Sequence, residues 1–455
     1  MTTMRDADRR PTPLVVEPQA AATEMIPTQR DAQSVEPVEA PTAVVPAQPG
    51  PAAQAPSTGA GSARPGGGGR DRYIDSLRAL ALVRVVTYHL FGWVWLPILF
   101  PSMGIMFALA GSLMAASIDR EQRHYAFVLA KRLRRLLPPL WAMGLVLVPL
   151  MLWWGWTVSG DTGSPLQWDT MLLWLMPLAT PPGSAAGNDL VVPLWYISTY
   201  LWLMVLSPAL LWLFRRWPKR MLALPVLFVA LSTAGVIELS DRTGDTMLYV
   251  ATYMGCWMLG FAHHDGLLRR IPLGRVVLLS LGLAAFGLYY AFAHPDPESG
   301  PNVSDIPMAT TFYSLGVVLL LLRLYLDFSW MKKLPLLDGL VAAMNRRAMT
   351  IYLWGNTAIA LALWGLSQSP YTERFTEDTA NPWVAGLVSF AAVWVVVGAI
   401  VLGLGWVEDV AARRRPTLLP RAAKPGRRRA HHTAKTRVPQ SGYVRRWTPE
   451  GAERA

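Results

Sequence analysis

His89 lies in an apolar run with Arg78 and Arg84, and ionisable side chains at membrane depth are costly enough to be candidates for function. Arg78 and His89 are 11 positions apart. On a helix that spacing brings them within roughly 20° of one face and separates them by about 16 Å in height. A neutral imidazole can take the proton of an attacking hydroxyl, which is the step acyl transfer needs. The competing readings are a packing histidine hydrogen-bonded across helices and an arginine that snorkels to the interface.

A second basic group follows at Lys131-Arg132-Leu133-Arg134-Arg135, in a loop expected to lead into a helix at residue 136. Arg132 and Arg135 share a face if the segment is helical, and paired guanidinium forks suit phosphate groups. They imply a cytoplasmic phosphate-bearing donor such as coenzyme A, although a short basic loop is also what the positive-inside bias produces. Trp195 and Tyr196, with Tyr200, open a later apolar segment at the outer interface, where aromatic belts are ordinary. They are the weaker candidates for the acceptor side. Glu238, Asp241 and Asp245 form an acidic group that could orient an acceptor or simply be solvated. Phe107, Gly111 and Ser112 are expected to mark close helix packing, since small residues let backbones approach. His263, His264 and Asp265 lack the spacing of a metal site, and Cys256 is the only cysteine, so no metal, bound cofactor or disulfide framework is expected.

These residues are carried by a chain that is 52% hydrophobic and only 16% charged, against roughly 25% charged in soluble domains. Apolar stretches long enough to cross a hydrocarbon core of roughly 30 Å recur between residues 76 and 407. The expected fold class is all-α, a polytopic transmembrane helix bundle, with helices near 75–97, 101–118, 136–156, 193–214, 219–238, 246–264, 273–293, 307–326, 346–367 and 383–407. The apolar stretch 169–180 is too short to cross and is assigned as re-entrant or interfacial. The net charge of +12 sits in short loops and a C-terminal run, which fits topology and anionic membrane lipids better than nucleic acid. Loops 294–306 and 368–382 are acidic instead. Ten crossings place every basic loop inside, with both termini cytoplasmic in a plasma membrane. Residues 1–69, rich in Pro, Ala and Gly, are expected to be a disordered cytoplasmic tail, 70–410 the transmembrane domain, and 411–455 a basic disordered tail.

Several segments together are similar to the acyltransferase 3 family. Tyr73-Ile74-Asp75-Ser76-Leu77-Arg78-Ala79-Leu80-Ala81 followed by His89 resembles its opening Arg, ten residues, His. Met103 to Gly111 resembles its second helix, Arg132-Leu133-Arg134-Arg135 its Arg-x-x-Arg loop, and Pro193-Leu194-Trp195-Tyr196-Ile197 its Leu-Trp-Tyr segment. The resemblance implies transfer of an acyl group, often acetyl, from acyl-CoA as co-substrate to a hydroxyl of a carbohydrate or lipid acceptor. It also implies His89 as catalytic base, with Arg78, Arg132 and Arg135 serving the donor. One departure is Asn356, near which many relatives carry a histidine. A transporter or lipid flippase is the alternative, since a buried Arg and His and a re-entrant segment would serve it too.

Overall fold

The computed structural model describes residues 71–121, 124–158, 165–324, 326–368 and 381–417. Of the expected disordered tails, 1–69 and 411–455, residues 1–69 and 418–455 lie outside them, and only 411–417 are described. Among the described residues, ten helices of 16 residues or more follow one another: α1 Arg72–Phe91, α2 Ser102–Arg120, α3 Tyr125–Trp153, α4 Leu194–Arg216 and α5 Pro218–Thr233, then α6 Arg242–His264, α7 Leu273–Ala293, α8 Pro307–Leu324, α9 Ala348–Ser367 and α10 Pro382–Leu404. No strand occurs among the described residues beyond an isolated bridge between Asp296 and Gly300. The fold is an all-α bundle, in which every helix satisfies its own backbone, as a membrane requires.

Each of the ten expected helices is present, but seven of the helical segments have the length and apolarity of a span. Four charged residues in α1, the 16-residue length of α5, and the threonines, tyrosines and terminal histidines of α6 set these three apart. The two largest boundary shifts are at the end of α1 and the start of α3. α1 ends at Phe91, not near residue 97, because Gly92 takes a left-handed conformation (φ 63°) and its N–H caps the Tyr88 carbonyl. His89 is therefore in the last turn of its helix. α3 begins at Tyr125, not at 136, so Lys131 to Arg135 are helical and not a loop. The helix runs on through Pro138 and Pro139 and at 29 residues is about 44 Å long, more than the hydrocarbon core requires.

Within residues 169–180 the only helical piece is a 3-10 turn, Thr170–Trp174, too short to cross. Tryptophan N–H groups hold this stretch: Trp141 donates to the Leu175 carbonyl at 2.9 Å and Trp202 to that of Leu178 at 2.7 Å.

The C-terminal ends of α2, α4 and α6 meet where the Arg215 guanidinium binds Asp119 and Asp265 at 2.8 and 2.7 Å. At the α2–α6 crossing, a Cβ on Gly111 would collide with the Trp257 carbonyl and one on Gly260 with the Ala108 carbonyl. The small residues there are required by backbone approach, as the sequence indicates for Gly111. Only 22% of the apolar stretch of α7 and 11% of that of α10 is buried within the protein, which leaves these two helices to face lipid. After α10 a short helix, Trp406–Ala411, turns back, and Arg347 fixes it. This arginine, 1% exposed, donates to Asp409 at 2.7 Å and to the Thr417 carbonyl at 2.6 Å.

Candidate active site

Arg78, Arg132 and Arg135 line one cavity of about 630 Å³, together with Arg120 and Lys131. It lies between the N-terminal half of α1, the C-terminal end of α2 and the N-terminal end of α3. Arg132 is held in place: it donates to the Tyr200 hydroxyl at 3.0 Å, and to the Leu113 carbonyl and the Ser117 hydroxyl at 3.1 Å each. Arg78 and Arg135 make no hydrogen bond among the described residues. Arg134, one position before Arg135, points elsewhere and donates to the Ala411 carbonyl at 3.3 Å. A single helical turn thus sends two guanidinium groups into the cavity and one away from it. The lining includes one carboxylate, Glu121, against five cationic side chains, so the cavity is suited to a polyanion.

His89 does not share that cavity. It lines a second one, of about 440 Å³, at the opposite end of α1, with Arg84, Tyr88, Trp195, Asp245 and Asp305 among its walls. Its imidazole makes no hydrogen bond among the described residues and contacts the Tyr88 ring edge-on at 5.4 Å. The expectation that Arg78 and His89 line one stripe agrees with the helical phase, yet the structure divides the stripe between two chambers. It divides the other pair as well, Trp195 facing the His89 cavity and Tyr196 the arginine cavity.

What separates the chambers is a layer of aromatic rings. Tyr196, lining the basic cavity, lies 5.0 Å between ring centroids from Tyr352, which lines the other. Phe107, fully buried, stands 4.8 Å from both Tyr196 and Tyr253. Trp195 stacks on Tyr249 at 4.7 Å and on Tyr253 at 5.4 Å. The partition is about two rings thick, and such offset and tilted pairs are attractive beyond the area they bury. α9 braces it: Tyr352 donates to the Pro193 carbonyl at 3.0 Å and Asn356 to the Asp189 carbonyl at 2.7 Å. Asn356 therefore anchors the segment that leads into Trp195.

Sequence reasoning missed Tyr352, Tyr88, Asn302 and Asp305 as parts of this site. They come from the end of α1, from α9 and from the loop before α8, and no local pattern joins them. Asn302 donates to the Tyr88 hydroxyl at 2.6 Å and to Asp305 at 2.7 Å, forming a polar wall. Of the acidic group noted near residue 240, Asp241 caps α6 by accepting from the Gly244 N–H, and Asp245 reaches the cavity. Asp119, His264 and Asp265 bring donor atoms within 4.8 Å of one another, but Arg215 already bonds to both carboxylates. An ion-pair hub accounts for them.

A basic cavity and a histidine cavity back to back in a membrane helix bundle fit a group transfer between two substrates that enter from different sides. The sequence pattern of the acyltransferase 3 family, an acyltransferase domain, matches residues 71–402, and the chain belongs to that family. The protein is a membrane acyltransferase. None of the curated proteins and none of the solved structures matches it significantly.

Proposed function

We propose that the protein moves an acyl group, acetyl in the simplest case, from cytoplasmic acyl-CoA in the basic cavity to a hydroxyl of an envelope glycan, glycolipid or similar acceptor in the His89 cavity. The observation that carries this reading is the placement of the two cavities on either side of one aromatic partition. Arg78, Arg132 and Arg135 bind the donor's phosphates, and Trp195 lies on the acceptor side. Tyr196, one position along, belongs to the partition. The plasma membrane is the proposed location, with the basic cavity and both termini toward the cytoplasm.

In the reaction the acceptor oxygen attacks the thioester carbonyl while His89 takes its proton. The carbon–sulfur bond breaks, and the departing thiolate recovers the proton as free CoA. His89 suits this role because it is exposed to its cavity and no described residue occupies either ring nitrogen. Geometry asks one thing of the partition: the thioester must come past Tyr196 and Tyr352, since Arg78 and His89 differ by about 16 Å in height. His89→Ala is expected to keep expression, detergent stability and acetyl-CoA affinity while lowering acceptor-dependent CoA release by about 100-fold or more. CoA release at the wild-type rate from the purified variant would remove His89 from the chemistry.

A further inference from the structure

Arg84 is 8% exposed and lines the His89 cavity, yet its Nε has no hydrogen-bond partner. Among the described residues, its guanidinium lies over the Tyr88 ring, 4.9 Å from the guanidinium carbon to the ring centroid. No carboxylate among the described residues lies within ion-pair distance. Asp305 accepts from Asn302 instead, and Asp245 is exposed at the cavity mouth. On α1, Arg84 sits five positions before His89, about 7.5 Å deeper along the axis. The cavity is therefore layered: carboxylates at its mouth, the imidazole beside them, and an uncompensated cation at depth.

Burying a guanidinium without a counter-charge is costly, and a single ring face returns only a small part of that cost. A neutral substrate would leave the imbalance in place. An oxyanion would remove it, offering two oxygens to the fork of the guanidinium while carboxylates at the mouth accept hydrogen bonds from neighbouring hydroxyls.

We propose that Arg84 forms an anion subsite in the acceptor cavity, so that the acceptor carries a carboxylate or phosphate group close to the hydroxyl that is acylated. The inference rests on the reading of the His89 cavity as the acceptor side, and it specifies the substrate class for that side. A bound anion at Arg84 would set the height of the acceptor relative to His89 and so select which hydroxyl reaches the imidazole.

The test uses the full chain in lipid nanodiscs, without acyl donor, titrated calorimetrically with glucose, D-glucuronate and glucose 6-phosphate. One of the two anionic sugars should bind more tightly than glucose, and which one it is distinguishes carboxylate from phosphate. Arg84→Gln should weaken that sugar by about 10- to 100-fold and leave glucose unchanged, as when one charge-assisted hydrogen bond is lost. Arg84→Lys should retain part of the preference, since it keeps the charge without the fork. Acetyl-CoA titration of each variant reports whether the protein is folded. It also tests the donor reading separately, so an anion preference at Arg84 and a failure of donor binding can be told apart. Equal affinity for the three sugars overturns the proposal. So does an anion preference that survives Arg84→Gln and disappears in Arg132→Ala/Arg135→Ala, because it then belongs to the basic cavity. Reduced turnover in Arg84→Gln with an unchanged sugar preference would place the residue at the reacting carbonyl and likewise overturn it.

Discussion

Alanine at Arg132 and alanine at Arg135 remove the same functional group from the same cavity, but the structure gives them different consequences. Arg135 is exposed and unbonded among the described residues, so truncation costs the folded protein nothing it uses. On the proposed donor reading its loss is one phosphate contact, about 1.5 to 3 kcal/mol for a charge-assisted hydrogen bond. Solvent and salt screen an exposed pair, which places the expected value at the lower end, about a 10-fold weaker acetyl-CoA affinity. Arg132 also ties α3 to the last turns of α2 and to Tyr200 through its three bonds. At about 0.5 to 1.5 kcal/mol net per bond, with partial exposure lowering the sum, Arg132→Ala should lose roughly 1 to 3 kcal/mol of stability in addition to donor affinity. Calorimetric titration with acetyl-CoA at two salt concentrations, paired with thermal unfolding in detergent, separates the effects. Wild-type affinity in Arg135→Ala, with no salt dependence, would mean that the basic cavity does not hold the donor. Equal thermal stability of the two variants would show that the bonds of Arg132 contribute nothing.

Gly260→Ala places a methyl group against the Ala108 carbonyl and should cost about 1 to 3 kcal/mol by forcing α2 and α6 apart, read as a lower unfolding temperature; an unchanged temperature would refute the close crossing. Glu408, in the short helix after α10, has its carboxyl pushed up to about 7 by burial, despite the Met349 N–H that it accepts at 2.7 Å. Because the docked segment holds that proton more tightly than a free carboxyl of pKa about 4.3, docking is strongest below about pH 4.3 and weakens as pH rises to 7. Glu408→Gln should abolish that dependence in amide hydrogen exchange of residues 405–412 measured at pH 5 and 8, and a persisting slope would assign it elsewhere. Neighbouring Asp409 has the opposite sign: burial raises its carboxyl, but Arg347 and the Thr417 N–H outweigh that and hold it low, so its contribution is lost only in acid. A cysteine at Ala186, on the same side of the chain's path as the Thr170–Trp174 turn, should react with an impermeant thiol reagent applied from outside, whereas reaction only from the cytoplasmic side would reverse the proposed orientation.

The helices were legible because an apolar run has one solution in lipid, and hydropathy alone marks where each run lies. Their ends were less so. The end of α1 depends on Gly92 adopting a left-handed turn, and the start of α3 on a run of Lys, Arg, Leu and Ala that helices favour, extending past the bilayer where hydropathy has no signal. In the site, Arg132 and Arg135 follow from spacing, and their common face follows once the segment is helical. The division between Arg78 and His89 does not. Helical phase places both on one side of α1, and the difference arises only where Tyr196 from α4 and Tyr352 from α9 close between them. Arg84 was visible as a charge in an apolar run, but its lack of a partner is a property of everything packed around it.

Two chambers reaching toward opposite ends of a membrane protein amount to a pore interrupted by one septum. With each chamber open to its own side, as the proposed transfer requires, most of the transmembrane voltage would fall across the rings of Tyr196, Tyr352 and Phe107. Moving one elementary charge through that field involves about 2.3 kcal/mol of electrical work per 100 mV. In the proposed reaction a neutral acyl group would pass with none, while phosphates held by the arginines would stay outside the field. On the proposed donor and acceptor sides, the aromatic septum would let the acyl group cross without coupling the transfer to the membrane potential.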